Sequence, residues 1–198
     1  MHSPLAAIIG LGNPGPEHVD TRHNAGFWWV DGVVARWGGD LRFEPKLKAV
    51  VGRTHIDGRD VWLAKPLTFM NASGGAVAAL CRYYRLAVTD ILVAHDELDL
   101  PPGTVRLKKG GGAGGHNGLT DIIRHMERDF WRLRIGVGRP APGRDLIPYV
   151  LGSPSRQERG LIDGGLARSL DIVPLLVQGR YEQAMNLLHT TNEVAGGT

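Results

Sequence analysis

Apolar residues follow two different periods along this chain of 198 residues. Short apolar or alternating runs bounded by turn residues predict strands, whereas apolar positions spaced three or four residues apart predict helices. Strands are predicted over Leu5–Gly12, Leu47–Ile56, Val61–Lys65, Ile91–Ala94, Thr104–Lys108 and Arg132–Val137. Helices are predicted over Asn24–Trp37, Ser73–Leu86, Leu119–Met126, Arg156–Val177 and Tyr181–His189.

The order of these elements predicts the fold class. Asp57 and Gly58 separate the second and third strands with a turn sequence typical of a β-hairpin. Elsewhere strands alternate with helices, which is typical of α/β proteins. We therefore expect a single α/β domain over residues 1–190, with a central mixed, twisted sheet flanked by helices on both faces. Residues 191–198 are small and polar, and we expect them to form a disordered tail.

The composition narrows the class of protein. Hydrophobic residues make up 42% and charged residues 22% of the chain, as in ordinary globular proteins. The single cysteine, Cys81, excludes an intramolecular disulfide and fits a reducing compartment. No apolar run approaches the ~18 residues of a membrane span, and Met1–Gly10 lacks the basic start of an export signal. A cytoplasmic protein without a membrane anchor is therefore expected.

Positive charge is concentrated in one segment. The formal net charge of the chain is +3, but residues 103–145 hold nine Lys or Arg and four Asp or Glu, a net charge of +5. A basic patch beside a nearly neutral remainder is typical of proteins that bind a polyanion such as a nucleic acid. A solvated basic surface is the alternative explanation.

Two glycine-rich segments match the dinucleotide-binding pattern G-x-G-x-x-G, at residues 10–15 and 110–115. In the first, Pro14 and Pro16 bracket Gly15, whereas a pyrophosphate site needs a helix to begin inside the motif. A nicotinamide-dependent oxidoreductase is therefore the weaker alternative. The second segment, the glycine loop (residues 110–115), lacks the Lys and Ser/Thr pair of a P-loop. We expect it to act as a mobile lid or an anion contact.

Other catalytic signatures are absent from the sequence. The eight histidines form neither H-x-H nor H-E-x-x-H, and no G-x-S-x-G nucleophile motif occurs. His95 precedes Asp96, Glu97 and Asp99, but no second ligand cluster accompanies this group. Cys81 lies in a predicted helix with apolar neighbours and is expected to be a buried, inert thiol. We therefore expect neither a metal nor a cofactor.

Polar side chains occur at the predicted ends of strands and starts of helices, where α/β proteins usually place their sites. They are Asn13, His23, Asn24, Asn71, Asp96 and Asn117. Each one alone is explained by a turn or a helix cap. Together, a histidine, an aspartate and several amides predict a hydrolase that activates water without a metal or a protein nucleophile.

Six sequence blocks in the same order resemble the bacterial-type peptidyl-tRNA hydrolases. The resemblance extends over residues 5–190. The blocks are Gly10–Gly15, Thr21–Gly26, Lys65–Gly74, His95–Gly103, Gly114–Leu119 and Arg132–Gly136. The most specific parts are Met70-Asn71 and His116-Asn117-Gly118.

The resemblance implies a monomeric, cytoplasmic esterase that needs no metal or cofactor. Its substrate would be peptidyl-tRNA, bound through the acceptor stem and the 3′ end, and it would cleave the ester between the peptide and the 3′ ribose. The resemblance implies that His23 is the catalytic base, that Asp96 orients it, and that Asn71 and Asn117 also take part in catalysis.

The resemblance also implies two binding regions. The residues implied to line the substrate cleft are Asn13, His18, Met70, Asn71 and Asn117. Lys108 and Arg134 are implied to hold the 5′ phosphate of the tRNA. Two positions depart from the family pattern, since His18 stands where many members have Tyr, and Ala113 where many have His or another polar residue.

Two further alternatives remain open at the level of the sequence. One is a non-catalytic, RNA-binding member of the same fold. The other is a phosphate-binding or assembly module that uses residues 103–145, in which His23 would have no functional role.

Overall fold

A mixed sheet of seven strands forms the centre of the protein. The computed structural model describes residues 2–196, and of residues 192–196 the backbone alone. The strands are β1 (Ala7–Gly10), β2 (Arg42–Glu44), β3 (Ala49–Ile56), β4 (Arg59–Pro66), β5 (Ile91–Glu97), β6 (Val105–Lys109) and β7 (Trp131–Gly136). Their order is β2-β3-β4-β1-β5-β7-β6. Strands β4, β1, β5 and β7 pair in parallel, whereas β2, β3 and β6 join their neighbours antiparallel.

Helices cover both faces of the sheet. They are α1 (Ala25–Trp37), α2 (Ser73–Tyr84), α3 (Asn117–His125), α4 (Leu146–Val150), α5 (Arg156–Ser169), α6 (Val173–Val177) and α7 (Tyr181–Gly196). Short 3₁₀ turns occupy Pro16–His18, Arg22–Asn24, Met70–Ala72, Val88–Asp90 and Leu170–Ile172. Helices α2 and α3 pack on one face, and α1, α5, α6 and α7 pack on the other. The predicted single α/β domain with a mixed sheet is therefore confirmed.

Two hydrophobic cores lie on opposite sides of the sheet. On β1, Ile8 packs in the core with Trp29 of α1, and its neighbour Ile9 packs in the core with Val77 of α2. Parallel strands that are covered on both faces are apolar at every position, which is why the sequence of β1 shows a continuous apolar run. Cys81 lies in the second core, where burial raises the pKa of its thiol to about 11. None of the helices within residues 2–196 has the length and apolar character needed to cross a membrane.

Several element boundaries differ from those predicted. Strand β5 continues past the apolar run to Glu97, because His95, Asp96 and Glu97 stay paired with β7. The edge strand β2 was not predicted, because all its three residues are exposed and give no apolar pattern. The short helix α4 was also not predicted. It has only five residues and begins directly after the polar residue Asp145.

The predicted helix over Arg156–Val177 is interrupted. A capping box between Ser155 and Glu158 begins α5, which ends at Ser169. Pro174 has no N–H to donate to the preceding turn, so the chain passes through the 3₁₀ turn Leu170–Ile172 before α6.

The last helix is longer than predicted. The Thr190 hydroxyl donates to the carbonyl of Asn186 at 2.9 Å, and the Thr191 hydroxyl donates to the carbonyl of Leu187 at 3.1 Å. The hydroxyl groups of Thr190 and Thr191 therefore find hydrogen-bond acceptors on the backbone of the helix itself. The helical backbone continues to Gly196, and residues 197 and 198 lie outside the described part of the chain. Disorder of the tail over residues 191–198 stays a prediction.

Helices α2 and α3 are in close contact at Gly74. A Cβ atom at this position would lie 2.1 Å from the carbonyl oxygen of Asp121. The Gly74 amide donates to Asp121 Oδ2 at 2.7 Å. At the neighbouring Gly75, the nearest atom to such a Cβ is His125 Nε2 at 3.9 Å. Contact between the two helices therefore requires glycine at position 74 and not at position 75.

We expect Gly74→Ala to lower the free energy of unfolding by about 1–3 kcal/mol, because the methyl group would force the two helices apart. Gly75→Ala is the matched control, and it should stabilise the protein by up to ~1 kcal/mol, because alanine has the higher helix propensity. Urea denaturation of both variants measures these changes. Equal stability of the two variants would contradict the proposed close contact.

Candidate active site

The polar residues predicted at strand ends lie at one edge of the sheet. Asp96 is near the end of β5, Asn13 follows β1, and Met70 begins the 3₁₀ turn that follows β4. His23 lies in the 3₁₀ turn before α1, and Asn117 is the first residue of α3. Because parallel strands end at the same edge, the fold brings these segments to a common site.

A buried carboxylate joins two histidines there. Oδ1 and Oδ2 of Asp96 each lie 2.9 Å from His23 Nδ1, and Oδ1 lies 2.8 Å from His116 Nε2. A carboxylate only accepts hydrogen bonds, so both ring nitrogens donate. The Leu119 amide donates to His116 Nδ1 at 3.3 Å, so a neutral His116 carries its proton on Nε2. A neutral His23 carries its proton on Nδ1, which leaves Nε2 with a lone pair.

The charges of this group depend on each other. Burial opposes the charge of Asp96, but the two histidines outweigh burial and hold the pKa of its carboxyl below the usual range. Burial also opposes the charge of His23. The Asp96 carboxylate and its hydrogen bond outweigh that effect, so the pKa of His23 lies above its ordinary value. For the adjacent His95, burial lowers the pKa to about 3, and this ring is neutral at physiological pH.

Asn24 holds Asn13 in place. Its Oδ1 accepts from the Asn13 amide at 2.8 Å, and its Nδ2 donates to the Asn13 carbonyl at 3.0 Å. Asn13 Oδ1 in turn accepts from the Met70 amide at 2.7 Å. Asn13 and Asn24 are 6% and 2% exposed, so these bonds are shielded from water. They join the segment after β1, the turn before α1 and the turn after β4.

The segment that carries His23 is also held from the other side. The neighbouring Arg22 donates to the Tyr149 carbonyl at 3.2 Å and to Glu158 Oε2 at 3.1 Å. Its guanidinium lies 4.0 Å from the centre of the Tyr149 ring. Arg22 therefore connects the turn containing His23 to α4 and to the start of α5.

A cleft of about 90 Å³ lies beside the His23–Asp96–His116 group. Its polar lining consists of these three residues with Glu97, Asn117 and Arg139, and Gly114 and Gly115 of the glycine loop adjoin it. Its apolar lining consists of Leu98, Leu146, Ile147 and Val150. Helix α4 thus supplies most of the apolar lining of the cleft.

Of the five residues implied to line the substrate cleft, Asn117 lines this one, whereas Asn13, His18, Met70 and Asn71 do not. Asn71 is exposed and lines a neighbouring groove of about 430 Å³, together with Lys46, Thr68 and His125. His18 Nε2 lies 3.7 Å from Glu17 Oε1 on the 3₁₀ turn after β1. Of the four residues implied to be catalytic, the structure therefore places His23, Asp96 and Asn117 around the cleft and Asn71 in the groove next to it.

The basic residues of β6 and β7 share one face of the sheet. Lys108 is in register with Arg132, and Arg106 with Arg134, while Leu107 and Leu133 point into the core on the other side. The Arg134 guanidinium donates to Glu97 Oε1 at 2.7 Å, and Lys108 is exposed. Arg106, Lys108 and Arg134 of the predicted basic segment thus form a cationic surface on the sheet face that α2 and α3 cover, whereas Arg132 is buried.

Sequence reasoning missed His116 as part of the site, and it named Asn24 without assigning it a partner. Both residues lie within motifs quoted above, Gly114–Leu119 and Thr21–Gly26. The residues to which they bond, Asp96 and Asn13, lie 20 and 11 residues away in the chain. Three of the site residues also have the spacing of metal ligands, although no metal was expected. Ligand atoms of His23, Asp96 and His116 lie within 4.8 Å of one another, a spacing that could hold a metal ion. The hydrogen bonds from both rings to Asp96 account for the same spacing.

The comparisons with known proteins point to one family. The family model described as peptidyl-tRNA hydrolase matches residues 7–195. The chain belongs to the peptidyl-tRNA hydrolase family. A curated relative of that name from Nitrosospira multiformis is 50% identical over 190 residues, which cover 96% of this chain and 100% of the relative. Another, from Methylobacillus flagellatus, is 51% identical over 188 residues, 94% of this chain and 97% of the relative.

A solved structure of a family member is also similar. The crystal structure of peptidyl-tRNA hydrolase from Acinetobacter baumannii matches with a TM-score of 0.92 and 47% identity, covering 95% of this chain and 96% of that one. Membership of the family disfavours the dinucleotide-binding alternative. A Cβ at Gly10 would lie 2.3 Å from the carbonyl oxygen of Gly26, so this glycine allows α1 to pack against β1.

We expect Asn24→Ala to lower the free energy of unfolding by about 2–4 kcal/mol, because it leaves the buried N–H and C=O of Asn13 without partners. Asn186→Ala, an exposed position in α7, is the control and should change stability by less than ~0.5 kcal/mol. Urea denaturation gives both values, and an unchanged Asn24→Ala variant would contradict the role assigned to these bonds.

Proposed function

We propose that this protein hydrolyses the ester that joins a peptide to the 3′ ribose of tRNA. The observation that carries the proposal is the hydrogen bond between His23 Nδ1 and the buried Asp96, which leaves Nε2 as the basic nitrogen beside the cleft. Family membership supplies the substrate class. The runner-up is a non-catalytic RNA-binding protein of the same fold.

In the proposed mechanism, His23 Nε2 takes a proton from a water molecule as its oxygen attacks the ester carbonyl. Asp96 stabilises the imidazolium that forms and keeps the ring oriented. When the tetrahedral intermediate collapses, the bond from carbon to the ribose 3′ oxygen breaks, and His23 returns the proton to that oxygen. The products are a peptide with a free carboxyl group and a tRNA with a free 3′ hydroxyl.

Neutral amides suit the remaining roles. Asn13, Asn71 and Asn117 can hold the attacking water, the developing oxyanion and the first peptide amide without competing for the proton. A site that hydrogen-bonds the first peptide amide would reject free aminoacyl-tRNA, because its polar groups would remain unpaired opposite an ammonium group. Met70 and His18 would complete the binding surface near the 3′ end.

The cationic surface suits the tRNA. Lys108 and Arg134 are assigned to the 5′ phosphate at the acceptor stem, since phosphate contacts position a nucleic acid without reading its sequence. Arg134 would exchange Glu97 for the phosphate when the tRNA binds. The proposed setting is a monomer acting in the cytoplasm, without metal or cofactor.

We expect His23→Ala to reduce hydrolysis of N-acetylaminoacyl-tRNA in EDTA by about 10²-fold or more, because the general base is lost. Wild-type protein should leave free aminoacyl-tRNA intact under the same conditions. His55→Ala, at an exposed histidine of β3, is the matched control and should retain full activity. Release of the amino-acid group measures the hydrolysis of both substrates.

The result of this experiment separates the two functions. If folded wild-type protein binds tRNA but cleaves neither substrate, the catalytic function is wrong and the RNA-binding alternative takes its place. Loss of activity in EDTA that returns with added metal would contradict the metal-free mechanism.

The pH profile tests the pairing of His23 with Asp96. Only neutral His23 can accept a proton, so kcat/KM should fall as pH drops through the pKa of His23, which lies above its ordinary ~6.5. Asp96→Asn removes the charge that raises this pKa and leaves the burial that lowers it. We expect the acid limb of this variant to move to lower pH and its plateau rate to fall. If the acid limb of the kcat/KM profile does not move in Asp96→Asn, a group other than His23 is responsible for it.

A further inference from the structure

The glycine loop is joined to β7 by a backbone hydrogen bond at its start and closed by a turn at its end. The Gly110 amide donates to the Phe130 carbonyl at 2.9 Å, and the His116 amide donates to the Ala113 carbonyl at 3.0 Å. Four of its glycines have φ between +59° and +96°, and they are Gly110, Gly111, Gly114 and Gly115. Side chains are strained at such angles, so the loop follows a path that glycine alone adopts readily.

Arg132 supports the middle of the loop. Its Nη1 donates to the Gly112 carbonyl and its Nη2 donates to the Gly111 carbonyl. The residue is 3% exposed, and its guanidinium lies 4.8 Å from the centre of the Phe130 ring. Guanidinium is a rigid, planar fork of donors. Two bonds to successive carbonyls therefore set both the position and the orientation of this part of the backbone.

The loop connects the two functional regions of the site. A Cβ at Gly111 would lie 3.0 Å from Lys108 Nζ, so the proposed phosphate ligand rests against the loop. At its other end, the chain continues directly into His116 and Asn117, which line the cleft. A displacement of the loop would therefore move residues assigned to binding and residues assigned to chemistry together.

We propose that Arg132 is a positioning residue for the reaction, an inference that rests on the proposed function. By holding the carbonyls of Gly111 and Gly112, it keeps the glycine loop where His116 can bond to Asp96 and Asn117 can face the substrate. Arg132 itself touches no substrate in this role. Without it, the loop gains freedom that must be lost in every catalytic cycle, so kcat should fall more than KM rises.

The test compares Arg132→Met and Arg132→Lys with Arg59→Met. Arg59 is exposed at the start of β4, the end of that strand away from the site, so its variant removes an equal charge and leaves the loop bonds intact. Kinetics use N-acetylaminoacyl-tRNA with a 5′ phosphate and the same tRNA with a 5′ hydroxyl. We expect both Arg132 variants to lower kcat by about tenfold or more on both substrates, and Arg59→Met to leave kcat unchanged.

The lysine variant separates charge from geometry, because it keeps the charge and loses the fork. Wild-type kcat in folded Arg132→Lys would overturn the proposal. So would an effect on KM alone that disappears with the 5′-hydroxyl tRNA, because Arg132 would then act only as a cation. If Arg132→Met does not fold, Arg132→Lys alone decides the result.

Hydrogen exchange provides an independent readout. In Arg132→Lys, faster exchange confined to residues 110–116 is expected, whereas faster exchange throughout the protein would make Arg132 a general structural residue and overturn the proposal. If wild-type protein fails to hydrolyse the substrate, the proposed function fails, and this measurement still decides whether Arg132 holds the loop.

Discussion

The Asp96 carboxylate, 3% exposed, accepts hydrogen bonds from His23 and His116, and the rest of the site is arranged around it. An unpaired charge at this depth would cost several kcal/mol, so the two donors are a condition for burying it. Their bonds in turn decide which nitrogen of each ring carries the proton. A single buried charge thus determines both the orientation of the rings and the basicity of His23.

The sheet explains how these groups meet. Its parallel centre, β4-β1-β5-β7, brings several strand ends to one edge, where the end of β5, the start of α3 and the 3₁₀ turns carry the functional side chains. Its antiparallel edge, β6 with β7, places Arg106, Lys108, Arg132 and Arg134 on one face. The parallel part therefore builds a small cleft with polar and apolar lining, and the antiparallel part builds a row of basic side chains in which Arg106 and Lys108 are exposed. A small cleft beside basic side chains suits a substrate in which a small ester is attached to a large polyanion.

The sequence predicted most of the fold, because alternation, apolar runs and turn residues act locally. It also indicated His23, Asp96 and Asn117, since polar residues at strand ends converge in α/β proteins. The partners of these residues were beyond such reasoning. Asn24 reads equally well as a helix cap, and His116 meets Asp96 only because the glycine loop follows one particular path. Strand β2 and helix α4 were missed because an exposed edge strand and a five-residue helix leave no periodic signal.

The two histidines that share Asp96 come from opposite layers of the protein. His23 precedes α1, which packs on one face of the sheet, and His116 precedes α3, which packs on the other. A partly folded chain with one helical layer docked would form a sheet and give Asp96 one of its two histidine partners, yet the cleft would be open to water. Hydrolysis during refolding would then recover only when the second helical layer packs on the sheet. The activity of the site therefore measures the fraction of molecules that have folded completely.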